Sequence, residues 1–207
     1  MIYYENRYKE IIFDKYEILQ NKLREFIPKT GMVHSDAWFA MTGEHFNNNK
    51  EAFNKFMDIP EMQEMLDAYG VKDYVVDFGV HATKPGGHFL GQLHIDELPP
   101  GQSPLRILVP VWGYEDSYTV LYKHLGKSGP IKTLTDFYGE DQANKDGIWY
   151  QYYTFEEDDV EFIDRIPTVN PWFFNHRQPH DVEHNGPNHR VIVWINLDGS
   201  FPVDSIL

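Results

Sequence analysis

The chain has 207 residues, 18 Lys and Arg against 32 Asp and Glu for a formal charge of −14, and no cysteine. That length suits one domain with a sizeable core, and 42% hydrophobic with 15% aromatic residues excludes intrinsic disorder. The charge, unrelieved by any Lys/Arg cluster, disfavours nucleic acid and anionic membranes as partners, and the missing thiols exclude disulfides, thiolate zinc sites, iron–sulfur clusters and cysteine nucleophiles, leaving ten histidines as metal ligands.

The first residues, MIYYENRYKEIIFDKYEIL, lack a basic region followed by an uninterrupted apolar one, and no apolar run reaches about 18 residues. A soluble, cytoplasmic protein is the expectation. From Glu5 to Phe26, Tyr8, Ile11, Ile12, Tyr16, Leu19, Leu23 and Phe26 recur mostly at three and four, which predicts an amphipathic helix ending near Pro28. NNNKEAFNKFMDIPEMQEMLDAYGV predicts two short helices broken at Pro60 and stopped by Gly70. Residues 1–70 thus read as mainly helical support for the β-rich remainder of the chain.

From Asp73 the pattern changes to short Val-, Ile-, Tyr-, Phe- and Trp-rich runs separated by Gly, Pro, Asn and Asp. The runs are DYVVDFGVHA, HFLGQLHI, LRILVPVWGY, YTVLYKHL, IWYQYYTF, VEFIDRI, TVNPWFFN and HRVIVWINL. Eight strands after a helical region predict an α+β, mainly β chain: a jelly roll or double-stranded β-helix, cupin-like, over residues 71–200, within a single domain spanning 1–207. The polar stretch between Leu125 and Ile148 reads as a solvated excursion or a lid, and the EEDD run at 156–159 as a solvated turn.

In QLHIDELPPG, strand alternation puts His94 and Asp96 on one face, where they can grip one ion. Far downstream, His180 follows a predicted strand and Arg190 opens the last one, ten residues later. Two imidazoles and one carboxylate with open positions opposite form the ligand set of non-haem Fe(II) oxygenases.

Here the sequence resembles the Fe(II)/2-oxoglutarate-dependent oxygenase superfamily, on the HxD pair His94 and Asp96, the distal His180, and Arg190 leading the VIVW strand, over roughly residues 74 to 198. The block FFNHRQPHDV with RVIVWINLD looks especially like the prolyl 4-hydroxylase-type and aspartyl/asparaginyl hydroxylase-type branches. The resemblance implies Fe(II) on His94, Asp96 and His180. It also implies 2-oxoglutarate and O2 as cosubstrates, with Arg190 binding the distal carboxylate through its planar fork. A hydroxyl on a neighbouring strand often joins that Arg in the family, and Tyr114, Thr119 and Tyr122 are all eligible. Arg106 resembles an Arg of the aspartyl/asparaginyl hydroxylase-like branch that helps bind acid groups.

The implied activity is a hydroxylase releasing succinate and CO2, acting on a small molecule or peptide, with a prolyl or other amino-acid residue as the favoured target. The alternative is a cupin-like metal- or ligand-binding module without oxygenase activity. His176, His184 and His189 fit the interval to Arg190 less well than His180 and read as surface or supporting histidines. His81 and His88 flank a Gly-rich hairpin. The HSD triplet at His34, which precedes the β-body as does His45, is the main decoy for the metal pair.

Overall fold

The structure, a computed structural model, describes residues 8–29, 50–83, 93–96, 101–128, 131–135 and 150–206. The HSD triplet, His88 and most of the polar excursion lie outside them. The helices are α1 (Tyr16–Lys29), α2 (Lys50–Met57) and α3 (Pro60–Ala68). The strands are β1 (Tyr8–Glu10), β2 (Val75–Thr83), β3 (His94–Asp96), β4 (Gln102–Trp112), β5 (Ser117–His124), β6 (Ile131–Thr135), β7 (Tyr150–Thr154), β8 (Val160–Pro167), β9 (Trp172–Asn175), β10 (His180–His184) and β11 (Arg190–Asp198). They form two antiparallel sheets, one of five strands ordered β1-β9-β4-β11-β2 and one of six ordered β6-β7-β3-β10-β5-β8. This is the jelly-roll architecture predicted from the strand pattern.

Three elements differ from the sequence expectation. The first helix starts at Tyr16, because Tyr8–Glu10 pair as an edge strand with Trp172–Phe174 and the Ile11 N–H donates to the Pro171 carbonyl at 2.8 Å. Ladder hydrogen bonds override the helical periodicity there. The excursion after Leu125 contains β6, which pairs with β7. His180 opens a strand, β10, that its polar sequence HDVEH concealed.

Strand alternation divides the sheet residues between two environments. On β11, Val191, Val193 and Ile195 face outward to meet Leu19, Leu23 and Ile27 of α1, all nearly fully buried, while Ile192 and Trp194 face the interior between the sheets. The 4-residue spacing of the α1 leucines makes that stripe. Each such burial contributes about 1.5–3 kcal/mol. Phe78 of β2 stacks on Phe56 of α2 with centroids 3.7 Å apart, which fastens the second helix to the same face.

Pro110 lies inside β4, where proline cannot donate to a ladder, and just beyond it the β4–β11 register shifts between Ile192 and Val191. β9 runs beside β4 only over Leu105–Leu108. Past that point α1 intervenes: Tyr16 Oη (2.5 Å) and Gln20 Nε2 (3.1 Å) donate to the Pro110 carbonyl, and Arg24 Nε (2.9 Å) to that of Val111. The helix therefore satisfies strand carbonyls as well as covering apolar surface.

The EEDD run ends differently from the solvated turn expected. Asp159 is 1% exposed and accepts hydrogen bonds from Ser128 Oγ, the Ser128 and Lys127 N–H groups and His124 Nε2. Burial opposes its ionisation, yet these donors outweigh burial and hold its carboxyl below the usual carboxylate range. A depressed folded-state pKa stabilises the fold above the unfolded value, about 3.9, and that contribution fades as pH falls below it. Asp159→Asn is therefore expected to lower the melting temperature at pH 7, with the deficit shrinking as pH drops below about 4. A deficit independent of pH would assign Asp159 a steric role only.

Candidate metal centre

Register assembles the candidate site. β3 lies between β7 and β10, and His94 is the Cα partner of His180 across the β3–β10 pair. Their rings sit 4.4 Å apart, and alternation puts Asp96 on the same side as His94. One ligand atom from each of His94, Asp96 and His180 lies within 4.8 Å of the others, and all three residues are buried.

The protonation of the site suits a cation. His180 Nδ1 donates to the Gln178 carbonyl at 2.8 Å, which leaves the Nε2 lone pair for a ligand. Burial, then the neighbouring His94, push its pKa down to about 3, so the ring is neutral at ordinary pH. For Asp96, burial disfavours the charge, but the Arg106 guanidinium and then His176 overcome it and hold the carboxyl well below its ordinary range. Two imidazoles and an ionised carboxylate match a divalent non-haem iron centre in donor type. These residues fit such a metal.

Arg190 opens β11 at 1% exposure and is the largest fully buried side chain among the described residues. Its Nε has no hydrogen-bond partner, and among the described residues no carboxylate forms an ion pair with it. Burial pulls its pKa down to about 10, still above neutrality, so among the described residues a positive charge stands uncompensated inside the protein. Its backbone is located by Gly113, at φ 64°, where a Cβ would lie 1.9 Å from the His189 carbonyl oxygen. Only glycine permits that approach.

One cavity between the sheets is lined by Asp96, His180, Arg106, Thr119 and Arg190 as its polar groups, with Leu108, Phe174, Val182 and Ile192 as its apolar walls. Thr119 faces this interior because it pairs with Val182, one alternation step from the Leu121–His180 pair. Its buried Oγ1 has no hydrogen-bond partner among the described residues. Of the other two hydroxyl candidates, Tyr122 packs its ring edge-on to Phe162, itself 59% exposed, and Tyr114 lies half-buried in the turn before β5. Neither lines the cavity. Arg106 does line it, but its Nη1 donates to Asp96 Oδ2 at 2.7 Å, so the acid it binds is the chain's own.

The remaining histidines separate clearly. His184 Nε2 contacts the Asn188 carbonyl at 2.5 Å, at a distance in sequence that keeps it within its own loop. His81 lies on β2 as the Cα partner of Ile192. His176 is wholly buried, with Nδ1 3.3 Å from Asp96 Oδ2 and Nε2 3.2 Å from the Ser103 carbonyl. Spacing gave no sign that it touches the HxD carboxylate.

No family model and no curated protein matches the chain. Among solved structures it is similar to SnoK, a non-haem α-ketoglutarate-dependent carbocyclase from nogalamycin biosynthesis, at a TM-score of 0.51 and 12% identity over 92% of this chain and 79% of that one. The fold is shared. Two further similar structures are a prolyl hydroxylase from Trichoplax adhaerens in complex with a hypoxia inducible factor peptide fragment (TM-score 0.46, 12% identity, 94% and 84% coverage) and HygX from Streptomyces hygroscopicus with nickel and 2-oxoglutarate bound (0.47, 9%, 94% and 82%). At such identities the likeness is one of architecture. No helix among the described residues is long and apolar enough to cross a membrane.

Proposed function

We propose that the protein is an Fe(II)- and 2-oxoglutarate-dependent dioxygenase, with His94, Asp96 and His180 holding the metal and Arg190 and Thr119 binding the distal carboxylate of 2-oxoglutarate. The observation that carries this reading is one cavity lined both by metal-capable Asp96 and His180 and by a buried Arg190 that has no counter-charge among the described residues. A buried guanidinium without a counter-charge is costly. An anion bound in that cavity offsets the cost, and the planar fork can take both oxygens of a carboxylate. Thr119 Oγ1, without a hydrogen-bond partner among the described residues, supplies a further donor.

When bound, the ferrous ion with 2-oxoglutarate and O2 supplies the oxidising power, the balance being 2-oxoglutarate + O2 + R–H giving succinate + CO2 + R–OH. The chain's own residues do the positioning. His180 stays neutral and presents Nε2, Asp96 stays ionised, and Leu108, Phe174, Val182 and Ile192 keep bulk water from the Arg190 end. The favoured substrate is a prolyl or other amino-acid residue, free or in a peptide. That preference rests on the resemblance of FFNHRQPHDV to hydroxylase sequences.

The test is succinate release by the purified chain supplied with Fe(II), ascorbate and 2-oxoglutarate, with and without a peptide library. Iron-dependent succinate, accelerated by a peptide, is expected. Metal binding with neither turnover nor 2-oxoglutarate-induced stabilisation would leave the cupin-like binding module as the correct description.

A further inference from the structure

Asp96 is held from several directions, through its carboxylate and its main chain. Its Oδ2 accepts from Arg106 Nη1 at 2.7 Å and lies 3.3 Å from His176 Nδ1, whereas Oδ1 is the oxygen 3.8 Å from His94 Nε2. Its main chain is held as well: its N–H donates to the His176 carbonyl (3.1 Å), and its carbonyl accepts from Arg177 Nη1 (2.8 Å). The two side chains that reach Oδ2 are themselves fixed. Arg106 lies over the Trp194 ring, 5.5 Å from its centroid, and the His176 N–H donates to the Pro104 carbonyl at 3.1 Å. The segment 175–178 also supplies the Gln178 carbonyl that orients His180.

From this geometry we propose that Arg106 and His176 are positioning residues that occupy Oδ2 and so keep Asp96 a one-oxygen ligand. The inference rests on the reading of His94, Asp96 and His180 as a metal centre. An aspartate that swings to give both oxygens fills a fourth position on a six-coordinate ion. Two positions would then remain, where a chelating keto acid and one further molecule need three. Arg106 opposes that swing by charge-assisted hydrogen bonding, and His176 blocks the same oxygen from the other side.

The experiment is Co(II) titration of the full chain, without 2-oxoglutarate, read by calorimetry and by the visible absorption of the bound ion. Arg106→Met and His176→Phe are expected to weaken Co(II) binding about 10- to 100-fold and to shift the absorption bands as the coordination number changes. Arg106→Lys is expected to recover much of the wild-type spectrum. Unchanged affinity and spectrum in folded Arg106→Met and His176→Phe overturn the proposal, since a purely structural role lowers only the melting temperature. If those variants do not fold, Arg106→Gln, too short to reach Asp96 Oδ2, and His176→Asn decide, with wild-type affinity and spectra in both counting against it. Failure of the wild-type chain to take up Co(II) would instead sink the metal-centre reading itself.

Discussion

His94→Ala is expected to abolish iron-dependent succinate formation, with a fall of more than about 100-fold, because losing a direct ligand costs more than the 10- to 100-fold typical of an outer hydrogen-bond partner. The ring is fully buried and stands beside His180, so its removal leaves two ligands and a small cavity. Large-to-small changes at buried sites cost about 2–5 kcal/mol, so the melting temperature falls as well. Asp96→Ala should also be inactive, but for a mixed reason. It strands the buried Arg106 guanidinium without its partner, and breaking a buried pair from one side costs about 3–5 kcal/mol. His94→Ala is thus the cleaner test, and a folded His94→Ala protein with wild-type turnover would refute the ligand assignment.

Arg190→Met has effects of opposite sign on stability and on function. Holding the buried guanidinium with its pKa drawn down to about 10 costs the apo fold on the order of 3 kcal/mol. Methionine keeps much of the length and packs against Ile192 and Leu108 without the charge. The apo variant is therefore expected to melt several degrees higher than wild type, at about 2–4 °C per kcal/mol for a chain of this size. The same change removes the group proposed to bind the distal carboxylate. Stabilisation by added 2-oxoglutarate, which at 100 times the dissociation constant is about 2.7 kcal/mol, should vanish. Differential scanning fluorimetry of both proteins, each with and without 2-oxoglutarate, reads both effects. A variant that loses apo stability yet retains the 2-oxoglutarate shift would show that Arg190 has a counter-charge and a different task.

The strand pattern after Asp73 was legible because half-buried strands alternate and turns carry Gly, Pro and Asp. That sufficed for the jelly roll. It failed for β10, whose HDVEH alternates only in burial, since His180, Val182 and His184 turn inward while Asp181 and Glu183 turn out. It failed again for β1, where exposed residues pair with a strand some 160 positions away. Local spacing cannot show such partners. At the candidate site, His94 and Asp96 were readable as a pair, and the distances to His180 and Arg190 along the chain suggested the rest. That Thr119 lines the cavity, and Tyr114 and Tyr122 do not, was visible only from the register of β5 against β10. Arg106 was readable as a residue binding acid groups, but its partner, and the part played by His176, were hidden for another reason: both reach Asp96 across the sandwich, and nothing in LRILVPV or NHRQ specifies that direction.

The register shift beside Pro110 in β4 has a bearing on what a shortened chain would do. The three polar side chains of α1 that take the Pro110 and Val111 carbonyls come from residues 16–24, so these acceptors stay open until the start of the polypeptide has docked. A truncated version beginning near residue 30 would present bare strand backbone beside an uncovered Ile107, Val109 and Val111 surface. Such a surface recruits strands from neighbouring molecules, so self-association is the expected fate of that fragment.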